Sequence, residues 1–282
     1  MGIKLSLCMI ARNEGKYLPR CLESVRGVVD EIILVDTGST DGTREVAARF
    51  GAQVYDFQWI EDFSAARNCS IEKATGDWIL WLDADEYLDP RTADLVRETL
   101  ESATTDGVRV IIDNIMDDGN RVTTLSTIRF IRNYRGIRFI RPIHEGPTLP
   151  DGPLVQSESA IRVVHLGYLY QVVREKDKHN RNLRLLKRDV GDAFTHFNLA
   201  NEYVMHEEWE KGLAMARRAL GGAGDPFVRA AMTLNIITCL RALGRNVEAL
   251  RTVEEAKIQF PGYADILLSE GMIKKDQGRW DD

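Results

Sequence analysis

Residues 78–90 read WILWLDADEYLDP: an apolar run that meets three acids, Asp83, Asp85 and Glu86. "WILWL" has the length and the aromatic and branched make-up of a buried strand. Two readings of its end compete. In one, the acids belong to a polar loop, and Asp89 and Pro90 are the N-cap and first residue of a following helix. In the other, Asp83 and Asp85 form a D-x-D that sets two hard oxygen ligands at the strand end. Such a pair suits a magnesium or manganese ion held against a phosphate.

Three runs of the same kind precede it, KLSLCMIA (4–11), EIILVD (31–36) and AQVYDF (52–57). Helix-length stretches alternate with them: GKYLPRCLESVRG (15–27), DGTREVAARFG (41–51) and DFSAARNCSIEKATG (62–76), whose final glycines, Gly27, Gly51 and Gly76, read as C-caps. Strands alternating with helices imply βαβ units and a mixed, mostly parallel sheet of the α/β class. Ligands of such sheets bind beyond the carboxyl ends of the strands. The polar residues closing the first, second and fourth strands, Arg12 to Glu14, Asp36, and Asp83 to Glu86, are therefore expected on one rim.

Beyond residue 107 the pattern changes to GVRVIIDNI (107–115), TLSTIRFIRN (124–133) and a Pro- and Gly-bearing stretch, RPIHEGPTLPDGP (141–153). These read as antiparallel strands and loops added to the sheet. Near Tyr170 the composition turns helical. EWEKGLAMARRAL (208–220) then matches RNVEALRTVEEAK (245–257), and GRN at 244 matches GRW at 278. Helix pairs recurring at about 34 residues are the tetratricopeptide pattern. The expected organisation is an α/β domain over 1–170, a helical linker over 171–192 and helical repeats over 193–282. The chain ends at GRWDD, where the second helix of a further repeat is due, so a longer natural protein is expected.

Composition narrows the function. A net charge of −6 lacks the basic footprint of a general nucleic-acid binder, so no nucleic-acid partner is expected. The four cysteines show no CxxC spacing, which argues against structural zinc or a disulfide framework and for a reducing, cytoplasmic setting. IKLSLCMIA is too short for a signal peptide. No stretch reaches the roughly 18–20 apolar residues of a spanning helix. MGIKLS matches the N-myristoylation pattern, which leaves peripheral membrane contact open, but the same residues open a buried strand.

Taken singly, the remaining motifs are weak. VDTGSTDGT (35–43) places Asp36 at a strand tip, followed by a Gly38–Gly42 turn that Asp41 would cap. IARNE (10–14) and AARN (65–68) read as surface polar clusters. In order and spacing, however, CMIARNE, ILVDTGSTDGT and AARN…ATGDWILWLDADE resemble family-2 glycosyltransferases of the GT-A fold, over about residues 4–90. That resemblance implies a metal ligand at Asp85, a ribose-side contact at Asp83 and an acceptor for the imide N–H of a uracil-type base at Asp36. It puts Arg12 and Glu14 in the base and ribose pocket, Arg12 standing where many relatives carry an aromatic residue. Arg67 would orient the nucleotide. YRGIRFIRPIHEGP (134–147) is similar to the segment where a Gly-containing loop precedes the catalytic acid. Glu145 becomes the candidate general base, though many relatives carry Asp there. His144 becomes a phosphate or acceptor contact. His165, in VVHLGY, takes the place of a third metal contact. Glu86 receives no role.

Arginines at 129, 132, 135, 138 and 141 would be split between faces by strand periodicity, either reaching an anionic ligand or solvating a sheet edge. Trp78 and Trp81 read as core, and Trp59 as a candidate substrate contact. The expectation is a metal-dependent, inverting glycosyltransferase that uses Mn2+ or Mg2+ and a UDP-sugar. Its acceptor would be a protein, peptide or glycan met through the helical repeats. A non-catalytic repeat scaffold with a degenerate sugar-nucleotide domain is the rival. A nucleotidyltransferase would need a Gly-rich phosphate loop after the first strand, which ARNEG is not.

Overall fold

The computed structural model describes residues 2–117, 119, 121–169, 178–189 and 191–278. It divides into two compact units, Met1–Lys178 and His179–Asp282. In the first, β1 (Leu5–Ala11), β2 (Glu31–Asp36), β3 (Gln53–Asp56) and β4 (Trp78–Trp81) alternate with α1 (Leu18–Ser24), α2 (Thr43–Arg49) and α3 (Phe63–Lys73). There follow β5 (Glu86–Leu88), α4 (Leu95–Ser102), β6 (Gly107–Asp117), β7 (Arg121–Arg132), β8 (Arg138–Ile140), β9 (Gly146–Thr148) and β10 (Gln156–Leu169). Eight strands form one sheet in the order β3-β2-β1-β4-β7-β6-β10-β5, and β8 and β9 form a separate hairpin.

All seven residues of β1 are buried, because it lies between β2 and β4 with side chains packed on both faces. Leu5, Leu7 and Met9 join Trp78, Leu80 and Phe130 against Leu18 and Leu22 of α1 and Val96 and Leu100 of α4. On the other face Cys8 packs with Ile33, Ile79, Trp81 and Ile131 against Ile71 of α3. Each fully buried aliphatic side chain contributes about 1.5–3 kcal/mol, which suffices to hold strands with no exposed face in place. Burial also pushes the Cys8 thiol up to about 12, so it is no thiolate at neutral pH.

The structure corrects several local expectations. Gly27 and Gly51 are left-handed, with φ of 76° each. Gly76 is not a left-handed cap: α3 ends on Ala74, and Gly76 instead lets the chain pass against β1. A Cβ there would lie 2.8 Å from Lys4 O and 2.5 Å from Ser6 Oγ. Gly76→Ala is therefore expected to cost about 1–3 kcal/mol by overpacking, read as a lower urea midpoint at unchanged slope. Asp89 and Pro90 do not start a helix. Asp89 Oδ1 accepts from Arg91 N (2.9 Å) in a turn, and α4 begins only at Leu95. VVHLGY is the end of a 14-residue strand. That strand, β10, runs parallel to β6 and antiparallel to β5, so the second half of the sheet is not purely antiparallel. Nor is β7 an edge, since it lies between β4 and β6.

The second unit contains α5 (Lys178–Leu186), α6 (Ala193–Met205), α7 (Trp209–Gly222), α8 (Pro226–Ala242), α9 (Asn246–Gln259) and α10 (Ala264–Asp276). Of the linker expected at 171–192, residues 171–177 and 190 lie outside the described residues, as does the repeat match beyond Gly278. Asp192 caps α6 through Thr195 N (2.9 Å), and Asp225 caps α8 just before Pro226. Small residues let the helices approach. Ala200, Ala216, Ala219, Ala249 and Ala256 interleave with Leu213, Ile236, Ile237, Val253 and Ile266 in one core. Asn235 Nδ2 donates to Asn201 Oδ1 at 2.7 Å, joining α8 to α6 at positions 34 apart.

Candidate active site

β2 and β4 flank β1, so the chain turns opposite ways after β1 and the three carboxyl ends stand side by side. This is the switch point at which open α/β sheets form ligand crevices. Ala11 is paired with Asp36 across β1 and β2, which places the loop carrying Arg12 and Glu14 beside the Asp36 tip. The two loops are tied together. Asn13 N donates to Ser39 Oγ (2.9 Å), Thr40 N to Asn13 Oδ1 (2.8 Å), and Glu14 N to Thr43 Oγ1 (2.7 Å). Asp41 Oδ1 accepts from Thr43 N, although the cap residue of α2 is Gly42. Arg12 is exposed.

Asp36 is 2% exposed. Its Oδ1 accepts from Gly38 N and Ser39 N, both at 2.8 Å, in a turn that Gly38 permits with φ of 104°. Its Oδ2 is buried and accepts no hydrogen bond among the described residues. A buried carboxylate oxygen without a donor costs free energy, so Oδ2 has unused acceptor capacity.

Arg67 organises the next part. It projects from α3 and is itself buried. Nε donates to Glu145 Oε1 (2.6 Å) and Nη2 to Asp83 Oδ1 (2.7 Å), while the guanidinium carbon lies 4.6 Å from the Trp81 ring centre. One cation thus joins two carboxylates. Burial works against the charge on Arg67, but Asp83 and Glu145 outweigh it and raise its pKa. Burial would likewise raise the pKa of Asp83, yet Arg67 and then Arg129 hold it well below the usual carboxylate range. Asp83 is therefore ionised throughout the neutral range.

Asp85 is 6% exposed. The neighbouring strand brings His165 to it. Leu166 N donates to Asp85 O (2.9 Å), and His165 Nε2 lies 3.6 Å from Asp85 Oδ1. The other ring nitrogen, Nδ1, is 2.8 Å from Asn114 Oδ1, a partner that fixes the orientation of the imidazole. Gly167 lets the His165 ring pack directly against the backbone beside Asp85. A Cβ there would lie 2.2 Å from His165 Nε2 and 3.0 Å from Asp85 Oδ2. A carboxylate and an oriented imidazole 3.6 Å apart are a donor pair that fits a divalent cation.

Sequence reasoning missed Glu86 and Arg129. Glu86 is buried, accepts from Arg129 Nη2 (2.6 Å) and Nε (3.2 Å), and also accepts from Asp83 N (3.0 Å). Glu86 N returns a bond to Asp83 O (3.0 Å), so the D-x-D turn is closed from both sides. The signal was Arg129, a cation in the middle of an apolar strand. The other arginines form no joint patch. Arg132 binds Thr105 O and Ala103 O and lies over Trp78, on the opposite sheet face. Arg135 pairs with Asp106 and Arg138 with Glu72. Arg141 stands in the loop after β8 with φ of 80°. His144 is exposed and left-handed (φ 52°) in the loop between β8 and β9, next to Glu145. Trp78 and Trp81 are buried. Trp59 packs edge-on against Phe63 at 4.9 Å between ring centres.

The family model described as Glycosyl transferase family 2 matches residues 6–157. A TPR repeat-containing protein of Synechococcus elongatus is 45% identical over 142 residues, which are 50% of this chain and 35% of that protein. The SPbeta prophage-derived glycosyltransferase SunS of Bacillus subtilis is 29% identical over 185 residues, 63% of this chain and 43% of its own length. The chain therefore spans well under half of each of these relatives. Residues 1–349 of S. aureus TarS align with 99% of this chain and 93% of theirs, at 14% identity and a TM-score of 0.46.

Proposed function

Because this chain belongs to glycosyltransferase family 2, we propose that its α/β unit binds a UDP-sugar with Mn2+ or Mg2+ and transfers the sugar with inversion. The observation that carries this reading is the Asp85–His165 pair, 3.6 Å apart, with the imidazole oriented by Asn114. The metal, when bound, would neutralise the charge that develops on the departing diphosphate.

The protein's own groups divide the remaining work. Asp36 Oδ2 accepts the imide N–H of the base, its Oδ1 being held by two backbone amides. Arg12 and Glu14 border that pocket. Asp83, fixed by Arg67 through its side chain and by Glu86 through its backbone, faces the ribose. Glu145 takes the proton of the acceptor hydroxyl as that oxygen attacks the anomeric carbon opposite the diphosphate. Its bond from Arg67 reaches Oε1, which leaves Oε2 for the proton. His144 contacts phosphate or acceptor. The helical repeats recognise a protein, peptide or glycan acceptor, as concave solenoid faces do for extended ligands.

Among the described residues no helix is long and apolar enough to cross a membrane. The proposal is tested by calorimetric titration of UDP with and without Mn2+, followed by UDP-sugar hydrolysis. UDP binding that is indifferent to metal would count against it. Asp36→Asn replaces one carboxylate oxygen by an N–H donor facing the base. A hydrogen bond to a charged group contributes about 1.5–3 kcal/mol, so UDP affinity should fall roughly 10- to 100-fold at constant metal.

A further inference from the structure

A second cluster of metal-binding side chains lies wholly within the helical unit. His179 stands in the first turn of α5, Glu202 in the last turn of α6, and His206 directly after α6. Glu202 and His206 are four residues apart and so share one helical face. Glu202 is buried, at 8% exposure. Its Oε1 lies 3.0 Å from His179 Nδ1 and 3.6 Å from His206 Nε2. The donor atoms of the three residues all fall within 4.8 Å of one another. Zinc held at about 2.0–2.1 Å by nitrogen and oxygen in a tetrahedron has donors about 3.4 Å apart, and the two measured edges bracket that value.

The surroundings fit as well. Glu202 Oε2 accepts from Asn182 Nδ2 (3.3 Å), which fixes the carboxylate. His179 Nε2 faces Glu208 Oε1 at 3.5 Å, and Glu208 is itself paired with Lys211. A carboxylate on the far nitrogen of an imidazole is the usual support of a metal-bound histidine. The two imidazole rings lie 3.5 Å apart between centres, which brings both sets of ring nitrogens to one place. A single divalent cation would satisfy the carboxylate and both rings together. Two imidazoles and one carboxylate favour zinc and its neighbours over magnesium or calcium.

We propose that His179, Glu202 and His206 bind a zinc-class ion that clamps α5 to α6, with Glu208 orienting His179. The site is independent of the Asp85–His165 pair and of the activity proposed above. The test uses the untagged full chain, stripped with chelator and titrated with zinc alone, in an Asp85→Ala background to silence the other pair. One zinc should bind, and Co2+ in its place should give the strong visible absorption of a tetrahedral ion. His206→Ala and His179→Gln should each abolish both signals while UDP binding by the Asp85-intact versions of these variants stays unchanged. Glu208→Gln should weaken zinc about 10- to 100-fold. If His206→Ala loses its helical circular dichroism, His179→Gln decides. Absence of zinc binding in the Asp85→Ala chain, or binding unaltered by His179→Gln, would overturn the site.

Discussion

Replacing Asp85 by alanine is expected to lower metal-dependent sugar transfer about a thousandfold while leaving the fold intact. The substitution keeps the backbone bond that ties this turn to β10, from Leu166 N to Asp85 O. What is lost is the carboxylate facing His165. A metal at a developing phosphate charge supplies several kcal/mol, and at 1.36 kcal/mol per tenfold this gives about three orders of magnitude. Gly167→Ala should produce the same phenotype from the other side, since its Cβ would lie 2.2 Å from His165 Nε2 and turn the ring away from Asn114. Initial rates across a Mn2+ titration decide the matter. An Asp85→Ala enzyme that is still stimulated by metal would remove Asp85 from the metal site.

Arg67→Ala should be the most destabilising single change in the α/β unit, at about 3–5 kcal/mol near neutral pH. The guanidinium is buried and bonds both Asp83 and Glu145. Removing the guanidinium leaves the largely buried Glu145 uncompensated, the costly direction, while Asp83, with its side chain 40% exposed, keeps part of its hydration. The sign of the pH dependence follows from Asp83. Its folded-state pKa is depressed, so its contribution is present above the unfolded value, near 3.9, and is lost as pH falls through the folded value. In Arg67→Ala that depression disappears and protonation relieves the repulsion. The gap between variant and wild type should therefore narrow as pH is lowered below about 4. Urea unfolding at pH 7 and at about pH 2.5 measures it, and a gap that is constant with pH would mean that Arg67 acts through packing alone.

The rim of the sheet was legible because its elements are local. Asp36, Asp83 and the Arg12–Glu14 loop each end a strand whose composition announces it, and β1 between β2 and β4 puts the three ends together. Less legible was what each acid does there. Asp83 and Glu145 were read separately as a ribose contact and a base, whereas one guanidinium holds both. Glu86 looked idle because its partner, Arg129, lies 43 residues away on β7. Asp89 and Pro90 looked like a helix start because capping residues also open simple turns.

From sequence alone came the alternation of strands and helices, the polar strand ends and the helical repeats. All three are written in periodicities of 2, 3.6 and about 34 residues, which any window of chain carries in itself. Tertiary structure decided the partnerships: His165 with Asp85, Arg67 between Asp83 and Glu145, and His179 with Glu202 and His206. These depend on strand order and register, above all on β10 entering the sheet between β6 and β5 so that His165 pairs with Glu86. A shift of one residue in that register would turn His165 to the other face, and nothing in the local pattern of VVHLGY fixes it.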